Sequence, residues 1–207
     1  MIHELIFRYP ALAVCENSIE QAKKLLIACF NGGNKLLLCG NGGSSADCDH
    51  IVGELMKGFM HKRALSDEKK AQMKAACPDI ADSTLDKLQN ALPAISLSAF
   101  SALNTAFSND VDSDLIYAQG ILGLGKENDV LVAISTSGNS KNVLEAAKIS
   151  RALGIKVIAL TGKDGGILGS LSDVLINVPE YETYKAQELH LPIYHYLCRE
   201  IEKHLFG

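Results

Sequence analysis

The sequence predicts an α/β fold: a five-stranded parallel sheet with helices on both faces. Three observations carry that expectation. Five short runs, KLLLCG (35–40), PAISLSA (93–99), DVLVAIST (129–136), KVIALTG (156–162) and VLINVP (174–179), are almost continuously apolar. That is the pattern of strands buried on both faces; half-exposed strands alternate instead. Helix-length stretches follow most of these runs, and strands alternating with helices wind right-handed into a sheet covered on both sides. Finally, most runs end in a cluster of Gly, Ser or Asn, at the carboxyl ends where such sheets bind their ligands.

Each element has its own justification. Residues 3–31 read as helical packing ahead of the first strand. Residues 57–90 are charged, rich in Lys and Asp, interrupted by Pro78 and only sparsely apolar. They predict an exposed helical insertion between the first two strands, either a solvated helical face or, on a sharper reading, a lid or subunit contact. Residues 141–153 place Val143, Leu144, Ala147 and Leu153 at helical spacing, and Gly154 supplies a left-handed stop. Residues 183–206 form a closing helix that Pro192 must start or kink. There is no internal repeat, and 207 residues make a single domain, 1–207, by the usual size of about 100–200 residues.

Composition narrows the function. A net charge of −4 argues against a nucleic-acid partner, because phosphate backbones recruit basic surfaces; a small phosphorylated ligand held by backbone amides remains open. No apolar run approaches the ~18–20 residues a membrane span needs. The first residues carry acids and a proline where an export signal needs a basic start and a clean apolar stretch. A cytoplasmic, membrane-free protein is expected, with its six cysteines reduced and Cys39 and Cys198 serving as small core hydrophobes.

Three strand ends are candidates for chemistry. In CGNGGSSADCDH (39–50), Gly40, Gly42 and Gly43 permit a tight turn, and Ser44 or Ser45 can cap the following helix. The run is neither GxGxxG nor a Walker loop, which disfavours dinucleotides and nucleoside triphosphates. In STSGNS (135–140), Ser135, Thr136, Ser137 and Ser140 put four hydroxyls at a helix N-terminus, more than a cap needs and suited to one phosphate. The pair Asn109 and Asp110 is by itself a turn with a helix cap; near a sugar phosphate it would bind hydroxyls. His50 and Glu54, four apart on the helix opened by the glycine loop, share one face, as half of a metal site, an acid/base pair or a surface hydrogen bond. His190 reads as a core histidine.

The runs GNGGSSADCDHIVGEL, SNDVDSD, DVLVAISTSGNSKNV, VIALTGKDGG and QELHLPIYH, in that order, resemble the sugar isomerase (SIS) domain family and, within it, the phosphoheptose isomerases. The resemblance implies a flavodoxin-like winding and a homotetramer with sites at subunit interfaces. It implies a ketose–aldose isomerase of a phosphosugar, foremost sedoheptulose 7-phosphate to D-glycero-D-manno-heptose 7-phosphate. It further implies one zinc ion per site held by His50, Glu54, Gln187 and His195, acid/base roles for Glu54 and His195, and substrate contacts at Asn41, Gly42, Gly43, Ser44, Glu54, Asn109, Asp110, Ser135, Thr136, Ser137, Ser140 and Gln187. The alternative within the family is a non-catalytic member that binds phosphosugars or a replication initiator; such a member should lose the acid/base residues and keep the serine turn. The chain departs from the family at three places, one being the insertion 57–90, which is longer than in well-known members. Gly58 stands where an arginine is usual, so that Arg63 or a lysine of the insertion is the expected substitute, and Tyr184 stands where an aspartate is usual.

Spacing adds an expectation. Gln187 and His195 are eight residues apart, about 12 Å along an unbroken helix, too far for two ligands each ~2 Å from one zinc ion. Either Pro192 breaks the helix or the two side chains serve different subunits, and sharing between subunits is the favoured expectation.

Overall fold

A computed structural model describes residues 2–207. The N-terminal segment is a helix α1 (Ile2–Arg8), a 3-10 stretch (Pro10–Cys15) begun by Pro10, and α2 (Glu16–Asn31). Then come β1 (Leu36–Gly40), α3 (Gly43–Met56), α4 (Asp67–Ala76), a single turn α5 (Asp82–Leu85) and β2 (Ala94–Ser96). After α6 (Ser101–Phe107) and α7 (Ile116–Leu124), the order is β3 (Val130–Ser135), α8 (Lys141–Ala152), β4 (Lys156–Thr161), α9 (Gly166–Leu171), β5 (Val174–Asn177) and α10 (Thr183–Phe206).

The sheet is parallel throughout, in the order β2-β1-β3-β4-β5. This is the doubly wound order whose switch point lies between β1 and β3, the place where such folds hold ligands. Alternate residues of a strand face opposite sides, and the core divides accordingly. Leu36, Leu38, Val130, Val132 and Ile158 pack against α2, α3 and α10, while Leu37, Cys39, Leu131, Ala133 and Val157 pack against α7, α8 and α9. All six cysteines are free; Cys39 and Cys198 lie in the core and only Cys77 is exposed.

The second strand is shorter than its apolar run. Asn104 donates its side-chain amide to the carbonyls of Leu97 and Ser98 (3.0 and 3.3 Å), and the chain turns into a 3-10 coil at Leu97–Ala99. The insertion carries α4, which has no buried residue, and the single turn α5, while Arg63, Leu65 and Leu85 turn inward. Pro192 does not start the closing helix: α10 begins nine residues earlier and passes through it. Among the described residues, no helix is long and apolar enough to cross a membrane.

His190 is fully buried on α10. Its Nε2 lies 3.1 Å from the Thr161 carbonyl, while Nδ1 is buried without a partner. Burial pushes its pKa down to about 4, against the opposing pull of the Thr161 hydrogen bond. The folded state therefore keeps the ring neutral where the unfolded chain would protonate it near 6.5. This contribution is complete above about pH 6.5 and is lost as pH falls towards 4, by an order of 2–3 kcal/mol. Thermal melts from pH 7 to 4.5 are expected to show that decline, and His190→Gln to flatten it.

Candidate active site

The glycine loop is built around contacts that exclude side chains. A Cβ at Gly40 would meet the Ser44 carbonyl oxygen at 2.8 Å, and one at Gly43 would meet the Gln187 amide at 2.7 Å. Gly42 takes φ +55° and is itself the N-cap of α3. Neither Ser44 nor Ser45 therefore caps this helix, contrary to the sequence reading: the left-handed glycine starts it earlier and both serines fall in its first turn. Asn41 is held in a reciprocal amide pair with Asn142, at 2.8 and 2.9 Å. The buried Tyr117 hydroxyl donates to the Gly40 carbonyl at 2.6 Å, with Asn41 Oδ1 at 3.2 Å. Burial pushes the Tyr117 phenol up, so it stays a donor.

The serine turn joins β3 to α8 on the other side of that amide pair. Ser140 is the N-cap position of α8, yet its side chain does not cap it. Its hydroxyl lies 3.0 Å from that of the buried Ser135. Ser137 Oγ accepts from the Asn139 amide (3.2 Å), and Thr136 Oγ1 donates to Thr183 Oγ1 (3.4 Å) at the start of α10. Three of the hydroxyls thus bond within the turn and the fourth reaches α10, while at the N-terminus of the twelve-residue α8 the Val143 amide donates to Asn142 Oδ1 at 3.0 Å.

Gly138 holds this turn against the next strand end. It takes φ +65°, and a Cβ there would stand 2.0 Å from the Gly165 carbonyl oxygen; its own carbonyl accepts from the Leu168 amide at 3.0 Å. Gly138→Ala is expected to cost more than the roughly 1–3 kcal/mol of a forced non-glycine conformation, because the Gly165–Gly166 backbone must also move away. Gly123→Ala, in a helix with open space around it, should cost nothing; thermal melts of both variants check the difference.

The ionisable groups gather further along α3, where it runs beside α10. His50 Nε2 lies 3.3 Å from Glu54 Oε1 and 3.5 Å from His195 Nε2. Tyr194 donates its hydroxyl to Asp47 Oδ1 (3.2 Å), and the tyrosine oxygen is 3.0 Å from His50 Nδ1. Either nitrogen of His50 can carry the hydrogen; with it on Nδ1, towards the Tyr194 oxygen, the Nε2 lone pair and the Glu54 carboxylate are both available to a metal ion. Donors bound tetrahedrally to zinc at about 2.0–2.2 Å stand roughly 3.4 Å apart, so both His50 separations match such an edge. Among the described residues, however, no group of three or more His, Cys, Asp and Glu side chains in one copy is arranged to hold a metal ion. Burial, together with His50, pulls the His195 pKa down, and Glu54 opposes it.

The other candidate residues fall elsewhere. Gln187 packs its amide on Gly43, at the serine-turn end of α10, while His195 sits beside His50, and no helix break brings the two together. Asn109 and Asp110 are exposed on a π-helical turn (Ser108–Asp112) and hydrogen-bond each other at 2.8 Å. Arg63 is not a free cation: it is buried against Glu202. Lys57, also in the insertion, does reach Glu54 Oε2, at 3.3 Å. Gly58 cannot hold a larger residue, since a Cβ would stand 2.2 Å from the His61 carbonyl oxygen. Tyr184 is exposed, near Lys185. Sequence reasoning missed Asn142, Tyr117, Asp47 and Tyr194; of these only Asn142 carried a signal, as the polar residue just inside the helix after the serine turn.

Comparison with known proteins places the chain in a family. The SIS domain model matches residues 11–96 and 86–162. A phosphoheptose isomerase of Shewanella loihica is 36% identical over 207 residues, covering 99% of this chain and 92% of the relative. The solved phosphoheptose isomerase of Neisseria gonorrhoeae superposes with a TM-score of 0.76 at 33% identity, covering 97% of this chain and 94% of that one. That of Francisella tularensis superposes with 0.78 at 32% identity, covering 95% and 91%. The chain therefore belongs to the SIS domain family, and the relatives that it matches over nearly their full length are phosphoheptose isomerases.

Proposed function

We propose that this protein is a phosphoheptose isomerase that interconverts sedoheptulose 7-phosphate and D-glycero-D-manno-heptose 7-phosphate. One observation carries the reading: the chain keeps a carboxylate, Glu54, beside two imidazoles, His50 and His195, where a binding module would need none of them.

The reaction moves a proton between neighbouring carbons through an enediolate. The phosphate sits at the α8 N-terminus, held by Ser135, Thr136, Ser137 and Ser140, and supplies binding energy remote from the reacting carbons. Asn41, Gly42, Gly43 and Ser44 line the adjoining loop, with Asn109, Asp110 and Gln187 left to meet sugar hydroxyls. Glu54 takes the carbon-bound proton and returns it to the next carbon. His195, biased towards its neutral form, moves protons on the oxygens, and such steps contribute about 10²–10⁴-fold each. Lys57 beside Glu54 offers positive charge where Gly58 has none. His50, Glu54 and His195 have the donor chemistry for zinc, with Gln187 joining them only from another copy, and zinc when bound would polarise the carbonyl as a Lewis acid.

The cavity beside the acid/base group favours a site shared between copies. A cavity of about 350 Å³ that opens on His195 is walled by α1, Phe59, Met60 and α10, and includes none of the serines. We therefore place the serine turn of one copy opposite Glu54 and His195 of another, in a cytoplasmic homotetramer.

Mixing experiments test this. Glu54→Gln and Ser137→Ala/Ser140→Ala proteins, each inactive alone on sedoheptulose 7-phosphate, should regain partial activity when unfolded and refolded together. No turnover by the unaltered chain, with or without zinc, while phosphosugars still raise its melting temperature, would favour a binding protein. A fully active monomer would refute sharing.

A further inference from the structure

Arg63 and Glu202 form an ion pair with no solvent exposure on either side chain, Nε to Oε1 at 2.8 Å. Both partners have further contacts. The Arg63 guanidinium donates through Nη1 to the Leu55 carbonyl (2.6 Å) and through Nη2 to the Glu54 carbonyl (3.3 Å). These belong to the last turn of α3, whose carbonyls have no partner within the helix, and a cation there also complements the helix dipole. Glu202 accepts from the amides of Phe59 (2.7 Å), Met60 (2.6 Å) and His61 (3.2 Å). That loop lays the Phe59 ring on His195, centroids 5.7 Å apart. The far end of the insertion closes the frame: Gln89 Oε1 accepts from the Gly58 amide (3.0 Å), Asn90 donates to the Arg63 carbonyl (2.7 Å), and Leu92 donates to the Leu55 carbonyl (3.0 Å).

We infer that Arg63 and Glu202 are positioning residues for the isomerisation: one planar, forked cation fixes the backbone that carries Glu54, and its carboxylate partner fixes the loop that packs Phe59 on His195. The insertion is then a buttress behind the acid/base pair rather than a lid over it. The close packing at Gly58 is what lets the loop reach Glu202. This inference rests on the isomerase reading of the site. Its physical basis is that small displacements of a reacting group cost rate steeply, on the order of 10²-fold for 1 Å.

Two variants separate positioning from folding. Arg63→Lys keeps a charge opposite Glu202 but loses the fork that spans two carbonyls. Arg63→Met/Glu202→Gln leaves no buried charge and keeps an acceptor for the loop amides. Both should fold, judged by circular dichroism and melting. Both should lose about 10-fold or more in kcat with KM within about twofold, because the serine turn is untouched. Amide hydrogen exchange should accelerate in residues 53–63 and stay unchanged in α8. Either folded variant retaining the kcat of the unaltered protein, or a parallel loss of kcat and KM, overturns the proposal. If the unaltered chain turns over no phosphosugar, the isomerase reading fails separately, and exchange still decides: unchanged protection of residues 53–63 in both variants excludes the anchor itself.

Discussion

Glu54→Gln is expected to remove isomerase turnover, lowering kcat by about 10²–10⁴-fold, the range of a lost general acid–base group. The amide is isosteric but cannot accept the carbon-bound proton. The side chain is partly buried beside His50 and Lys57, and the substitution removes no core contact, so the melting temperature should barely move. Phosphosugar binding, followed by thermal shift, should persist, because the hydroxyls at Ser135–Ser140 belong to a different strand end. A coupled assay with both sugars checks the rate. Equal loss of binding and turnover would mean that Glu54 holds the substrate rather than transferring its proton.

The largest effect on stability is expected from Glu202→Ala. The Arg63 guanidinium would remain buried with no counter-charge, and the amides of Phe59, Met60 and His61 would lose their acceptor. Breaking one side of a buried pair costs about 3–5 kcal/mol, a large fraction of a typical domain's stability. A charge-free pair at these positions should recover much of that loss. The same group gives an acid limit. Burial pushes the Glu202 carboxyl up, but the amide and Arg63 hydrogen bonds pull harder and hold it below the usual range. A depressed carboxyl contributes stability that is complete above its unfolded value near 4.3 and is lost as pH falls through the folded value. Urea titrations from pH 6 to 3 should therefore show a loss of stability below about pH 4 that Glu202→Ala lacks.

The sheet was legible because burial on both faces leaves little room for polar residues, so KLLLCG and DVLVAIST announce themselves without any alternation. The ends of elements were less so. The run at 93–99 overshot β2 because the amide that turns the chain, Asn104, lies beyond it in the next helix. Ser44 and Ser45 suit a cap by chemistry, yet the left-handed backbone of Gly42 started α3 before either. At the site, His50, Glu54 and His195 were readable through helical spacing and family resemblance, whereas the Asp47–Tyr194 bond that orients His50 was not: a tyrosine in an apolar helix has many ordinary uses. Arg63 and Glu202 are 139 residues apart, and each looks like one more surface charge until the fold buries both. The insertion's charged composition correctly predicted exposure of α4 and concealed the one arginine that turns inward.

The position of a heptose phosphate relative to Glu54 decides the function of this chain. A crystal structure of the full assembly soaked with sedoheptulose 7-phosphate measures that directly. The prediction is phosphate oxygens within hydrogen-bond distance of the Ser135–Ser140 turn, and the carbonyl end of the same molecule within reach of the Glu54 carboxylate of a neighbouring copy. A sugar phosphate bound with its carbonyl end facing solvent, or with Glu54 and His195 of every copy remote from it, would contradict the account.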